Sequence, residues 1–281
     1  MADQSGDATG GDSAKHVEAT RKSLDVLRYL KEDGPGTLSE IASDLDRAKS
    51  TVYRHLNTLE EAGHVAEYDD GYRIGQLYLD YGIHAQRAHP LYHAAKPKVD
   101  ALADQVGEKV WCVVEENGYA AYIYLKSGDE LYRSFTRVGF RGHLHAFSAG
   151  KAILAHMAPE RVESIIDTRG LPAYTAQTIT DEDVLFEELE RIRERGFAIH
   201  LEEAVSGGNA VSVPVQLEDG SPIGAVCIAG PVHRLDEETL VDDYSDRLLG
   251  VKNEIELSLK YEAPPDEDRA EPPYSLQQKQ E

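Results

Sequence analysis

Over the first 75 residues the apolar positions recur at helical spacing, and beyond about residue 90 they fall into short runs separated by turn residues. The spacing predicts a helix from about Val17 to Lys31, with Leu24, Leu27 and Leu30 on one face and Gly34-Pro35-Gly36 as its stop. A second helix is expected from Thr37, which with Glu40 has the pattern of a capping box, and its buried stripe is Leu38, Ile41, Ala42 and Leu45. A third runs from Lys49 to Ala62 with Val52, Leu56 and Leu59 inward, and ends at Gly63. The runs His64–Tyr68 and Tyr72–Ile74 flank Asp69-Asp70-Gly71 as a hairpin, which completes a winged helix-turn-helix.

A linker helix follows over about Gln76 to Ala88, with Leu77, Tyr78, Tyr81 and Ala85 on a shared stripe suited to pairing with a second copy. The next predicted strands are Val110–Glu115 and Tyr119–Lys126 around Asn117-Gly118, then Leu131–Thr136, then Val211–Leu217 and Ile223–Ala229 around Asp219-Gly220. Helices are expected near Pro90–Val106, Ala149–Met157, Asp181–Arg195 and Asp236–Lys260. The fold class is α+β, a mostly antiparallel sheet with helices on its faces. The domains are a disordered tail over 1–14, the winged helix-turn-helix over 15–75, a linker and dimerisation helix over 76–90, a larger domain over 91–262 and a disordered acidic tail over 263–281.

Composition changes this picture in two ways. No apolar run is long enough to cross a bilayer and the N-terminus lacks a basic and apolar leader, so a membrane partner is excluded and a cytoplasmic protein expected. Cys112 and Cys227 both sit in apolar runs, which reads as buried thiols in a reducing compartment. The net charge of -22 is unusual for a nucleic-acid binder; acids scattered along the helices suggest a surface adapted to a saline cytoplasm, an ordinary acidic protein being the alternative.

Against that charge the third helix stands out. With Val52 inward, steps of 100° place Ser50, Tyr53, Arg54, Asn57 and Thr58 outward, and no acid occurs from Arg47 to Leu59. These side chains read base edges or hold phosphates, so the helix, with Arg47, Lys49 and Thr51 at its start, is the candidate recognition helix for double-stranded DNA. Arg73 on the wing is a candidate for phosphate or the minor groove. A protein-binding or purely structural winged helix is the alternative.

The segments Leu24-Asp25-Val26-Leu27, Leu38-Ser39-Glu40-Ile41-Ala42 and Lys49-Ser50-Thr51-Val52-Tyr53-Arg54-His55-Leu56 resemble the DNA-binding domain of the IclR (isocitrate lyase regulator) family. Arg137-Val138-Gly139, His145 to Ala152, Arg195-Gly196-Phe197-Ala198, Glu202-Glu203, Val213-Pro214-Val215 and Gly230-Pro231 continue the resemblance in the family's order, so that it covers about residues 16–260. The resemblance implies a transcription regulator without cofactor or enzymatic activity, a homodimer or tetramer on a palindromic operator, and a GAF-like domain that senses a small organic acid. With the acidic composition, it points to a halophilic archaeon, and a repressor is expected over an activator.

From Leu131 to Pro159 there is no Asp or Glu, while Arg133, Arg137, Arg141, His143, His145 and Lys151 stand there, and Ser148-Ala149-Gly150 opens a helix whose free N–H groups suit an anion. Arg141, His145 and Gly150 are therefore candidate effector contacts, packing against acidic neighbours being the alternative. The resemblance adds Ser148, Ala149, His200, Ala210, Cys227 and Ala229. In relatives that bind short keto acids, an acid stands at the position of His200, a Cys at that of Ala210 and hydroxyls at those of Cys227 and Ala229; the sequence departs at each. A histidine in place of an acid is expected to favour an anion, and a sugar acid is one candidate. Two rival readings are a metal-responsive regulator using His89 with His93 or His143 with His145, and an enzyme with a winged-helix module. Neither a nucleophile elbow nor a phosphate-binding glycine loop is present for the latter.

Overall fold

The computed structural model describes residues 16–128 and 136–261, in two compact units that meet in sequence between Ile83 and His84. The two expected tails, Arg133 and all but the last residue of the strand expected over Leu131–Thr136 lie outside the described residues.

The first unit contains α1 (Glu18–Glu32), α2 (Leu38–Asp44), α3 (Lys49–Glu61), β1 (Val65–Tyr68), β2 (Gly71–Ile74) and the start of α4 (Leu77–Arg87). The capping box is present: Glu40 N donates to Thr37 Oγ1 at 3.4 Å while Thr37 N donates to Glu40 Oε2 at 2.8 Å. That reciprocal pair satisfies two helix-end donors and fixes where α2 begins. Val52, Leu56 and Leu59 of α3 pack with Ile41, Ala42, Val65 and Tyr72 in one core. On α1 the buried pair is Val26 and Leu30, one turn apart, whereas Leu24 is 53% exposed. The wing is held in register from Val65 opposite Ile74 to Tyr68 opposite Gly71, and Tyr72 also exchanges backbone hydrogen bonds with Gly36.

The second unit is built on one antiparallel sheet of six strands, β3 (Lys109–Glu116), β4 (Tyr119–Ser127), β5 (Arg141–His143), β6 (Ala198–Leu201), β7 (Gly208–Gln216) and β8 (Pro222–Pro231), in the order β5-β4-β3-β8-β7-β6. The β3–β4 hairpin turns at Asn117 and Gly118, both at positive φ (51° and 78°), the twist a two-residue hairpin favours. Both faces of the sheet are covered, which is why its central strands read as apolar runs. Val110, Cys112, Val114, Val226 and Ile228 face α5 (Pro90–Val106) and α10 (Ser245–Tyr261). Trp111, Val113, Ala225 and Cys227 alternate to the other face, under α6 (Ser148–Leu154), α7 (Pro159–Arg169) and α8 (Glu182–Arg195). The expected last helix is interrupted: a turn of helix, α9 (Glu237–Thr239), passes through a π-helical stretch over Leu240–Tyr244 before α10.

Leu56 has no exposed surface. Leu56→Ala is expected to destabilise the first unit by about 2–5 kcal/mol, read as faster hydrogen exchange of α3 amides; a loss below about 1 kcal/mol would contradict this core.

Candidate functional site

On the first unit, α3 presents Ser50, Tyr53, Arg54, Asn57 and Thr58 to solvent, with Thr51 half-buried at its first turn. Arg54 makes no ion pair among the described residues. Thr58 Oγ1 donates to the Arg54 carbonyl at 3.0 Å, which leaves both its lone pairs for outside donors. Three other candidates are engaged inside the chain. Arg47 is held by Asp25 at 2.7 Å and its side chain is only 21% exposed, so it ties the turn before α3 to α1. Lys49 Nζ donates to Ser39 Oγ at 2.8 Å, and Arg73 pairs with Asp70 at 2.6 Å over the Tyr68 ring. Surface pairs such as the last two are weak and readily exchanged for a phosphate. Burial, then the nearby cations Lys22, Arg54 and Arg47, push the His55 imidazole on α3 below its ordinary value.

On the second unit, strand register creates a cavity. Direct partners across antiparallel strands share a face. Lys109 on β3 lies opposite Ala229, Ala229 opposite Ala210, and Ala210 opposite His200. A parallel row links Trp111, Cys227, Ser212 and Ala198. Where the rows carry Ala, Ser and Cys, the sheet cannot fill the space beneath α6. The result is a cavity of about 50 Å³ walled by Trp111, Tyr122, Phe147, Ser148, His200 and Val205, among others. A single water needs roughly 10–15 Å³, so this space admits a small organic molecule.

The polar groups of this wall are closely defined. Ser148 Oγ and Ser212 Oγ share a hydrogen bond of 2.7 Å, with Cys227 Sγ 3.8 Å from Ser148. Burial pushes the Cys227 thiol up to about 11, which makes it an unreactive neutral group. Asn209 is used at both ends, accepting from Glu202 N at 3.1 Å and donating to the Leu235 carbonyl at 2.7 Å. Among the described residues none that lines the cavity is an Asp or Glu. His200 Nε2 accepts from Ala204 N at 2.6 Å, and its Nδ1 is buried without a partner.

Beside the cavity, Lys151 on α6 is 1% exposed and its ammonium donates to both carboxylate oxygens of Glu203 at 2.6 and 2.7 Å. Burial raises the Glu203 carboxyl above its ordinary range, and the adjacent Lys151 opposes that rise. The pair fixes the loop after β6, whose carbonyls at Glu202 and Glu203 also accept from Thr175 and Thr178.

Of the expected effector contacts, the fold brings Ser148, His200, Ala210, Cys227 and Ala229 to this one cavity. It does not bring the others. Arg141 is exposed, pairs with Glu116 at 3.5 Å and lies over Tyr119. His145 donates through Nε2 to the Pro172 carbonyl at 3.1 Å, outside the cavity lining, and burial takes it down to about 4. Ala149 packs in the core, and a Cβ at Gly150 would stand 2.1 Å from the Leu144 carbonyl, so that glycine serves close packing. Burial, then Lys151, push the His200 imidazole down to about 3, so the ring is neutral, and it departs from an acid at this position by lacking a negative charge rather than by adding a positive one. Lys109, Trp111, Tyr122, Phe147, Asn209 and Ser212 were not anticipated; strand alternation and register would have placed Trp111 and Ser212 on this face.

Among the described residues no group of three His, Cys, Asp or Glu could hold a metal ion, and no helix is long and apolar enough to cross a membrane.

A winged three-helix unit whose third helix carries no acid from Lys49 to Leu59, joined to a domain with a cavity, defines a ligand-responsive DNA-binding regulator. Residues 19–69 match the IclR helix-turn-helix domain and residues 83–256 match the family described as bacterial transcriptional regulator IclR C-terminal. The chain belongs to the IclR family of transcription regulators, which are not enzymes. A probable regulator ArcR of Halobacterium salinarum is 26% identical over 90% of this chain and 98% of its own length. The transcriptional repressor AllR of Escherichia coli K12 is 31% identical over 81% of this chain and 85% of its own. The crystal structure of the Thermotoga maritima IclR superposes with a TM-score of 0.72 at 29% identity, covering 88% of this chain and 100% of that one.

The buried histidines set an acid limit. His200 and His145 are depressed in the folded state, to about 3 and about 4, from an ordinary value of 6.5. The unfolded chain therefore takes up these protons first, and the stabilisation present above pH 6.5 is lost as pH falls towards the folded values. Urea unfolding between pH 6.5 and 4.5 is expected to show a shallower decline for His200→Asn than for the wild type, by up to about 1.4 kcal/mol per pH unit; parallel slopes would contradict a neutral His200.

Proposed function

We propose that this protein is a homodimeric or tetrameric repressor of a halophilic archaeal cytoplasm, which binds a palindromic operator through paired winged helices and responds to a small organic acid. The observation that carries the reading is the absence of Asp and Glu over residues 47–59, along the outward face of α3, in a chain of net charge -22. Such restraint serves a polyanionic partner, and Ser50, Thr51, Tyr53, Arg54, Asn57 and Thr58 are its base and phosphate contacts, with Lys49 and Arg73 at the rim. Arg47, bound to Asp25, holds the turn and reaches phosphate only if that pair opens.

Helix α4 has no buried residue, and Leu79 and Ile83, one turn apart on one face, are 64% and 48% exposed, while Tyr78 and Tyr81 of the expected stripe lie against His64 of the same chain. That apolar surface is what a partner subunit's helix would cover. The second unit serves as a GAF-like sensor, with Ser148, His200, Ala210, Cys227 and Ala229 around the effector. Ligand binding favours one arrangement of the paired α4 helices and so alters the spacing of the two α3 helices. The likeness to an AllR repressor supports the sign of the response, and the Halobacterium relative supports the saline setting.

High salt removes most of the counterion-release contribution, so base contacts carry more of the affinity. Arg54→Ala is expected to weaken operator binding about tenfold or more, roughly 1–3 kcal/mol, in fluorescence anisotropy at multimolar KCl. Unchanged affinity would overturn the role of α3.

A further inference from the structure

The outward surface of α3 divides into side chains already used within the chain and side chains that are not. Ser50, Arg54 and Asn57 stand at i, i+4 and i+7, within about 60° of one another around the helix, and all three are exposed. None of these three side chains has a hydrogen-bond or ion-pair partner among the described residues. Their neighbours are engaged. Lys49 is held by Ser39 at 2.8 Å, Arg47 by Asp25 at 2.7 Å, and Thr58 gives its one proton to the Arg54 carbonyl at 3.0 Å. The stripe is also bounded, because its next position is Glu61, an exposed carboxylate that turns a polyanion away.

From Ser50 to Asn57 the helix rises about 10 Å, the length of three base-pair steps of about 3.4 Å. Arg54, in the middle, carries a planar fork of donors that fits the O6 and N7 acceptors of guanine. The Asn57 amide, a donor beside an acceptor, fits N6 and N7 of adenine. The rise between the two residues is about 4.5 Å, little more than one step, so their bases lie on neighbouring pairs.

We propose that Arg54 and Asn57 set the operator sequence: each half-site holds a guanine bound by Arg54 and, on the neighbouring pair, an adenine bound by Asn57. Ser50, whose hydroxyl both donates and accepts, tolerates any base at the step before. Lys49 and Arg73 sit in exposed ties that a phosphate can replace, so they place the helix without selecting sequence. The assignment rests on α3 being the helix that meets DNA, and it adds which bases that helix requires.

The full chain in multimolar KCl selects duplexes from a randomised library, and the enriched duplex is remade with each base at each position for fluorescence anisotropy. The wild type is expected to enrich neighbouring G·C and A·T pairs in each half-site, and to bind other bases at the guanine position about tenfold or more weakly. Arg54→Ala is expected to bring all bases at that position within about twofold while discrimination at the adenine position persists, and Asn57→Ala to do the converse. Arg54→Gln, whose amide matches adenine, is expected to prefer adenine where the wild type takes guanine. Each readout is a ratio between duplexes, so it does not depend on the fraction of variant that folds. Equal weakening of all duplexes with the ratios unchanged, or an enriched half-site without these two bases, would overturn the assignment and leave α3 a phosphate-binding helix. Failure of the wild type to enrich any duplex would instead overturn operator binding itself.

Discussion

The register of β3, β8, β7 and β6 is the constraint on which the second unit depends. A sheet buried on both faces must fill space on both, and here one face is filled by Val110, Cys112, Val226 and Ile228 against α5 and α10. The other carries Ala229, Ala210, Cys227 and Ser212 in two matched rows. A slip of one residue would exchange the faces, placing valines and isoleucine under α6 and closing the cavity. The same register sets Lys109 and His200 at opposite ends of one row, three strand spacings apart, about 14 Å. Between them lies an alanine floor on which a few-atom molecule can rest.

Next to that floor sits a buried ion pair, Lys151 with Glu203. Removing two charges from water is unfavourable, and a bidentate geometry at 2.6 and 2.7 Å offsets the cost without making the pair a strong stabiliser. What it provides is position: it fixes the loop that carries Ala204 and Val205 into the wall. Buried as it is, the pair is hardly screened by salt, unlike the exposed pairs on α8 and α10. Contacts of this kind hold a cavity wall in place at high ionic strength as well as at low.

Much of the first unit was legible in the sequence, because its signals are local. Thr37 with Glu40, the spacing of Val52, Leu56 and Leu59, and the turn at Asp69-Asp70-Gly71 each act within a few residues. The antiparallel sheet was legible too, through Asn117-Gly118 and Asp219-Gly220. Missed were β5, which rests on only three residues beside β4, and α7, whose apolar stripe of Val162 and Ile165 is thin. The acid-free stretch from Leu131 to Pro159 misdirected attention to Arg141 and His145, since it reflects several separate surroundings: Arg141 meets Glu116, Lys151 meets Glu203 and His145 meets a carbonyl. Charge counted along the chain says little about charge gathered in space. The neutrality of His200 depends on burial and on one backbone N–H four residues away, neither of which the sequence displays.

Control of DNA occupancy through the cavity is tested most directly by filling it. Ala210→Leu places a larger side chain on the floor without touching α3. Chromatin occupancy compared across carbon sources should change for the wild type and stay fixed for this variant at the same genomic sites. An Ala210→Leu profile that still follows the carbon source would contradict control through this cavity.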